Sequence, residues 1–283
     1  MLTEQQVAQF HRDGFLKGSK VLDDATVATL QEEVLRVIAE RDRGGRQPVL
    51  CHNFSRDEAH PVWQIVNIWQ ASEAFHRIIA LPTVVEEVVQ LTGATTLRLW
   101  HDQIQYKLAG GGGVNMWHQD SPYWPILTPK TAQVTAWIAL DDVDEENGCM
   151  FMVPGSHHWG DQIAFLHTLT AFDAMPETFQ GHRVEVRACP VRKGEVHYHH
   201  ALTWHGSPEN RSQRPRRAIA LHYMTQETRY VASGEHVMKS FVTVADGAVL
   251  EGAAFPVVYC DERVITPTPE PDGASLSTQV GTA

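Results

Sequence analysis

The apolar residues of this 283-residue chain change their spacing once, near Thr95, and that change limits what it can fold into. Before it, apolar side chains recur at three- and four-residue steps, the helical period. Thr3 is placed to cap a first helix, with Val7 and Phe10 on one side and Gly14 at its end. Asp23-Asp24 opens a second, in which Val27, Leu30, Val34, Val37 and Ile38 form a stripe that must dock on something. Pro82 starts a third helix over 83–91, closed by Gly93. Residues 3–93 therefore read as helical, broken by a loop at 41–46 and by an irregular aromatic stretch at 51–69.

From residue 95 the period is two. Thr96, Arg98, Trp100, Asp102, Ile104 and Tyr106 alternate with Leu97, Leu99, His101, Gln103, Gln105 and Lys107. Shorter runs follow at 131–140, 149–153, 184–188, 196–200, 202–205 and 217–224. Turn signals separate them at Asn147-Gly148, Pro154-Gly155-Ser156, Lys193-Gly194 and Gly206-Ser207-Pro208. Many short strands so spaced imply a sandwich or barrel. The polar set His101, Gln103, Gln105 and Lys107 fits a solvated edge or the lining of a polar cavity, and pattern alone favours solvation. The glycine run 110–113 is a flexible turn, since it lacks the Lys-Ser/Thr and helix of a phosphate loop. The Pro-, Thr-, Gly- and Ser-rich tail after Asp261 should be loosely ordered.

Hydrophobic residues at 43% suffice for a sizeable core. A formal charge of −11 argues against nucleic acid or an anionic membrane as partner, because either would want a basic face. No run of eighteen apolar residues exists to span a bilayer. The first residues lack the basic start and apolar run of a secretory signal. Cys51, Cys149, Cys189 and Cys260 are widely spaced without a CxxC, so reduced thiols and a cytoplasmic location are expected.

The chemistry centres on Trp117-His118-Gln119-Asp120. A His and an Asp two residues apart can turn toward one point, and a distant His can complete one face of a metal's coordination sphere. Two imidazoles and a carboxylate with open positions are what non-haem Fe(II) oxygenases use. Among 16 histidines and 34 acidic residues the tripeptide alone is weak. His205 is the preferred third donor over His197, His199 and His200, because it stands at a strand-to-turn transition. Downstream, alternation puts Arg216, Ala218 and Ala220 on one face and Arg217, Ile219 and Leu221 on the other. Paired arginines often mark a solvated strand end. An Arg followed by two Ala on an inward face instead leaves room for a carboxylate clamped by the guanidinium fork.

At this point the chain resembles the phytanoyl-CoA dioxygenase family of Fe(II)/2-oxoglutarate oxygenases. The resemblance runs from Leu2-Thr3-Glu4-Gln5 and Phe10-His11-Arg12-Asp13-Gly14-Phe15 through Trp117-His118-Gln119-Asp120-Ser121-Pro122-Tyr123-Trp124. It continues at Asn147-Gly148-Cys149-Met150 and Val153-Pro154-Gly155-Ser156-His157, and closes with His205-Gly206-Ser207, Asn210-Arg211-Ser212 and Arg216, covering residues 2 to about 225. It implies iron ligands at His118, Asp120 and His205, and 2-oxoglutarate bound by Arg216 and Ser207. By similarity to ectoine-hydroxylase-like members, Gln105 would help hold 2-oxoglutarate and His101, Gln103 and Trp124 would face the substrate. Trp137 falls near the cosubstrate. The polar face of the strand ending at Lys107 then becomes a cavity lining.

The implied fold is mainly β, a double-stranded β-helix (a jelly-roll, cupin-like barrel) with N-terminal α-helices packed outside. Residues 1–283 would form one domain: a helical region over 1–93, a jelly-roll core over about 95–225 and an extension over 226–283. The implied reaction consumes 2-oxoglutarate and O2 at Fe(II), with ascorbate as reductant in vitro, and oxidises a C–H bond of a small molecule with release of succinate and CO2. Related halogenases lack the carboxylate at the position of Asp120, so its presence favours hydroxylation or another oxidation. A monomer or homodimer is expected. Two rivals are a cupin-like lyase or isomerase without 2-oxoglutarate and a non-catalytic barrel; Arg216 with Ser207 opposes the first and the intact triad the second. Substrate choice falls to loops 42–70, 121–130 and 158–182 and the segment after Arg229, and no CoA-binding patch is evident.

Overall fold

A computed structural model describes residues 1–55, 61–111 and 113–268. Gly112 of the glycine turn and residues 269–283 of the tail lie outside them. The helices are α1 (Glu4–Asp13), α2 (Asp24–Glu40), α3 (Glu73–Ile78), α4 (Pro82–Thr92) and the single turn α5 (Ile163–Leu166). Thr3 and Gln6 close a capping box on α1, and Asp23 accepts the N–H of Thr26 on α2. Gly14 and Gly93 end α1 and α4 at φ of 83° and 66°, the left-handed region that glycine enters without strain.

The strands begin with β1 (Phe15–Lys20), β2 (Leu50–Asn53), β3 (Val62–Val66), β4 (Thr96–Lys107), β5 (Asn115–His118), β6 (Leu127–Thr128), β7 (Gln133–Ala139) and β8 (Met150–Met152). They continue with β9 (Thr178–Phe179), β10 (His182–Arg183), β11 (Arg187–Cys189), β12 (Glu195–His200), β13 (His205–Ser207), β14 (Arg216–Thr225), β15 (Arg229–Tyr230), β16 (Val257–Cys260) and β17 (Arg263–Val264). The major sheet runs β1-β12-β7-β14-β4. The far edge of β4 is shared: β16 with β17 covers its first half, and β3 with β2 its second. The minor sheet runs β11-β8-β13-β5. Every pairing described is antiparallel, and the two sheets curl over a shared interior as a jelly roll. No helix described is long and apolar enough to cross a membrane.

Alternation gives the major sheet two unlike faces. Val134, Ala136 and Ile138 of β7 and Ile219, Leu221 and Tyr223 of β14 join the stripes of α2 and α4 in the largest apolar cluster. Trp137, Ala139, Ala218 and Ala220 point the other way, toward Met150, Met152 and Cys189 of the minor sheet. The helices therefore cover the outside, and the barrel interior lies between the sheets.

Four expectations need correction. The stretch 3–93 is not all helical: β1 follows Gly14 directly and pairs with β12, while β2 and β3 form a hairpin within the supposedly irregular 51–69. These strands lie at or near sheet edges and carry no clean alternation, so they left no period to read. The alternation of β4 is also interrupted. His222 pairs with His101 and Tyr223 with Leu99, leaving Trp100 as a bulge. Leu97 and Leu99 thus face the helices while His101, Gln103 and Gln105 line the interior cavity. His205 begins a strand rather than ending one, after a turn at 201–203. Finally, β17 follows a two-residue turn in which Asp261 and Glu262 take positive φ, so the start of the tail is paired; without glycine the hairpin has no sequence signal.

Candidate active site

His118 ends β5 and His205 begins β13, and the two are direct partners across this antiparallel pair. Opposed residues project from the same face, and the rings stand 4.1 Å apart between centroids. Asp120 follows two residues on, with Oδ1 3.8 Å from His118 Nε2 and 3.4 Å from His205 Nε2. One ligand atom from each of the three lies within 4.8 Å of the others. The far side of each ring fixes its tautomer: His118 Nδ1 donates to the Met116 carbonyl at 2.8 Å and His205 Nδ1 to that of Thr203 at 2.9 Å. Both Nε2 atoms are left facing one point, the arrangement that metal-binding histidines take.

The electrostatics are governed by burial and by the carboxylate of Asp120. Burial, helped by the neighbouring His205, pushes His118 down to about 3, so it stays neutral. Burial alone would raise Asp120, but His205 and the hydrogen bond from His199 outweigh it and hold the carboxyl well below its ordinary range. His205 is raised, because Asp120 overcomes the opposing effect of burial.

Asp120 Oδ2 is engaged elsewhere. It accepts from Thr135 Oγ1 at 2.9 Å and from His199 Nε2 at 3.0 Å. Thr135 is in turn 2.8 Å from His222 Nδ1. Two donors on one oxygen leave Oδ1 as the atom free for a metal.

Deeper in the interior, Arg216 opens β14 opposite Lys107, the last residue of β4. Arg216 is fully buried, its three guanidinium nitrogens have no hydrogen-bond partner, and its carbon lies 4.9 Å over the Trp137 ring. Burial lowers its pKa to about 10. Lys107 Nζ donates to the Ser207 carbonyl at 3.1 Å, to Ser207 Oγ at 2.7 Å and to the Pro208 carbonyl at 2.6 Å. Because Ser207 Oγ accepts there, its own proton is free to donate. Burial and the adjacent Arg216 hold Lys107 well below its ordinary value.

A cavity of about 640 Å³ opens on the triad. His101, Gln103, Gln105, Trp124, Trp137 and Ser207 line it together with His118, Asp120 and His205, while Arg216 is not among the lining residues and rests on the Trp137 ring. All but Arg216 of the residues singled out from sequence therefore line one chamber, and Arg216 packs on one of them. Sequence reasoning missed Thr135, His199, His222 and His236. Thr135 shares the inward face of β7 with Trp137, a two-residue step that could have found it. His236 comes from the irregular extension and left no signal.

A model of the phytanoyl-CoA dioxygenase (PhyH) family matches residues 10–218. Peroxisomal phytanoyl-CoA dioxygenase of Rattus norvegicus is 25% identical over 268 residues, spanning 87% of this chain and 76% of that protein. Methylphosphonate hydroxylase of Gimesia maris is 27% identical over 225 residues, 78% of this chain and 80% of the other. Among solved structures, the non-heme alpha ketoglutarate dependent carbocyclase SnoK from nogalamycin biosynthesis aligns with a TM-score of 0.72 at 25% identity, over 90% of this chain and 96% of that one.

Proposed function

The chain belongs to the phytanoyl-CoA dioxygenase family, and on that premise we propose that it is an Fe(II)- and 2-oxoglutarate-dependent oxygenase that oxidises a C–H bond of a small molecule, releasing succinate and CO2. The reading rests above all on Arg216. A guanidinium sealed in a barrel with no partner costs several kcal/mol, and a bound carboxylate removes that cost. The donor set fits iron as well, with two bare Nε2 atoms and one free carboxylate oxygen converging from three residues.

His118, Asp120 and His205 would hold the iron. Bound with 2-oxoglutarate and O2, it supplies an oxidant able to attack an unactivated C–H bond. Arg216 would take the distal carboxylate of 2-oxoglutarate through its fork, and Ser207 would donate the proton that Lys107 leaves free. Trp137 supports the guanidinium plane, and Gln105, opposite Ala218, borders the space that the small alanines leave. Thr135 and His199 occupy Asp120 Oδ2, so Oδ1 is the oxygen that would be offered to iron. Apolar walls exclude water from the reacting atoms.

The test is direct. Supplied with Fe(II), ascorbate and 2-oxoglutarate, the purified protein should form succinate slowly without any second substrate. Calorimetry should show binding of both Fe(II) and 2-oxoglutarate. A protein that binds neither overturns the reading.

A further inference from the structure

The chamber beside the triad is walled almost wholly by uncharged groups. Among its described lining residues Asp120 is the only carboxylate, and it belongs to the metal centre; no Lys or Arg is among them. Away from Arg216 and the metal centre, a phosphate, carboxylate or ammonium buried there would lack a counter-ion, which makes a charged occupant of that part costly. Among the uncharged polar groups of the wall, three histidines from distant segments meet at one corner. The His101 and His222 rings are 4.6 Å apart, and His236 stacks against His101 at 5.7 Å.

Hydrogen bonds settle which nitrogens are free. The carboxylate of Asp120 can only accept, so Thr135 gives it the hydroxyl proton. Thr135 Oγ1 must then accept from His222 Nδ1, which leaves His222 Nε2 a bare lone pair on the cavity wall. His101 Nδ1 donates to the Asp102 carbonyl at 3.2 Å, and its Nε2 is buried without a partner. His236 has the opposite tautomer: its Nδ1 accepts the Met238 N–H at 3.1 Å, so the proton sits on Nε2. Burial lowers His101 and His236 as well, His236 to about 4, so both stay neutral. Trp124 closes this corner, edge-on to His101 at 5.7 Å and to His222 at 4.9 Å. Leu50, Val66, Leu166, Leu169 and Val237 make up much of the remaining wall.

A group that can give a proton to a bare imidazole nitrogen and accept one from a protonated neighbour is a hydroxyl. We propose that the substrate is an uncharged molecule with an apolar body, whose alcohol or phenol hydroxyl is bound by the His101–His222–His236 corner beside the metal centre. This rests on the oxygenase reading of the site and adds the substrate class. His222 links the two, since the Thr135 it supports also steadies Asp120.

The experiment compares four naphthalene probes on the anaerobic protein loaded with Fe(II) and 2-oxoglutarate: 2-naphthol, 2-methoxynaphthalene, 2-naphthoate and 2-naphthylmethylammonium. Ligand-observed NMR gives the affinities, and metal content is measured alongside. The naphthol should bind about tenfold more tightly than each of the others. The His222→Phe variant should lose most of its advantage over the ether; if that variant does not fold, His101→Leu should do the same. Equal affinity for the ether, the anion or the cation, or a preference unchanged in both variants, overturns the proposal. Substrate-free succinate formation is scored separately. A protein that forms succinate but shows no hydroxyl preference loses this proposal alone, and one that prefers the naphthol yet consumes no 2-oxoglutarate keeps the binding corner and loses the oxygenase reading.

Discussion

Arg216 and Arg217 are neighbours in the chain and opposites in the fold. Arg217 faces the helices, where its guanidinium grips Asp141 with Nε–Oδ2 at 2.9 Å and Nη2–Oδ1 at 2.7 Å. Arg216 faces the interior and grips nothing. The same contrast runs across the major sheet. On the outer face Tyr198 donates to Glu87 at 2.6 Å and Tyr223 to the Ile79 carbonyl at 2.9 Å, among close-packed aliphatic side chains. On the inner face, buried nitrogens of His101, His197, His199 and Arg216 have no partner. A fold selected only for stability would not bury polar atoms unpaired. The outer face is complete by itself, whereas the inner face is built for groups that the chain does not supply.

The largest predicted break comes from the inner face. His118→Ala or Asp120→Ala should reduce succinate formation to background; the thermal midpoint should move by about 3 °C or less in His118→Ala and fall further in Asp120→Ala, which strips an acceptor from Thr135 and His199. Next come the two arginines. Arg216→Ala should raise the 2-oxoglutarate requirement by roughly 100- to 1,000-fold, the range for truncating one partner of a buried charge pair. It should not lower stability, since an unpaired buried charge is removed. Arg217→Ala should leave that requirement within about threefold and cost about 1–2 kcal/mol of stability in denaturant unfolding. A reversed result would transfer the cosubstrate clamp to Arg217.

The outer face should fail differently. Leu221→Ala in the helix-facing cluster should cost about 2–5 kcal/mol and leave turnover per folded molecule unchanged, as urea unfolding with a parallel succinate assay would show. Thr135→Val keeps the shape of the inner face but removes a donor to Asp120. It should weaken iron binding by about 10- to 100-fold, measured by competition with a chelator of known affinity. Unchanged iron affinity would mean that His199 alone fixes Asp120 Oδ2.

Much of this division was legible in the sequence. The caps at Thr3 and Asp23, the glycine stops and the alternation of β7 and β14 are local signals, and each survives in the structure because tertiary packing reinforces it. Arg216 and Arg217 could be sent to opposite faces by counting in twos. Counting failed at Trp100, because a bulge is set by the register of neighbouring strands and not by the residues that carry it. It failed again at β1, β2 and β3, where little alternation survives at or near the sheet's margins. The proposed iron ligands emerged from a family pattern, whereas the groups around them did not. Which atom of Thr135 or His199 meets Asp120 depends on how three strands align, and no spacing along the chain records that.

The two faces also hold two unlike carboxylates, and pH separates them. Asp120 is depressed by imidazoles, whereas burial raises Asp102 to about 7 against the N–H groups of Ile68 and Trp69, 2.8 and 3.1 Å from its oxygens. Between an unfolded value of 3.8 and a folded value of about 7 the native state holds more protons at Asp102 than the unfolded chain does. That contribution to stability is therefore full near pH 4 and is lost as pH rises toward 7. The inner histidines have the opposite sign. His118 and His197, each lowered to about 3, stay neutral in the fold and charge in the unfolded chain below about pH 6.5, so acid should destabilise the protein as a whole. The Asp102 effect is isolated as a difference. Relative to wild type, Asp102→Asn should gain on the order of 3 kcal/mol between pH 4 and pH 7 in urea unfolding, while the acid limb set by the histidines is common to both. A difference that stays flat across that window would mean that Asp102 is already ionised in the fold, with the N–H groups of Ile68 and Trp69 outweighing its burial.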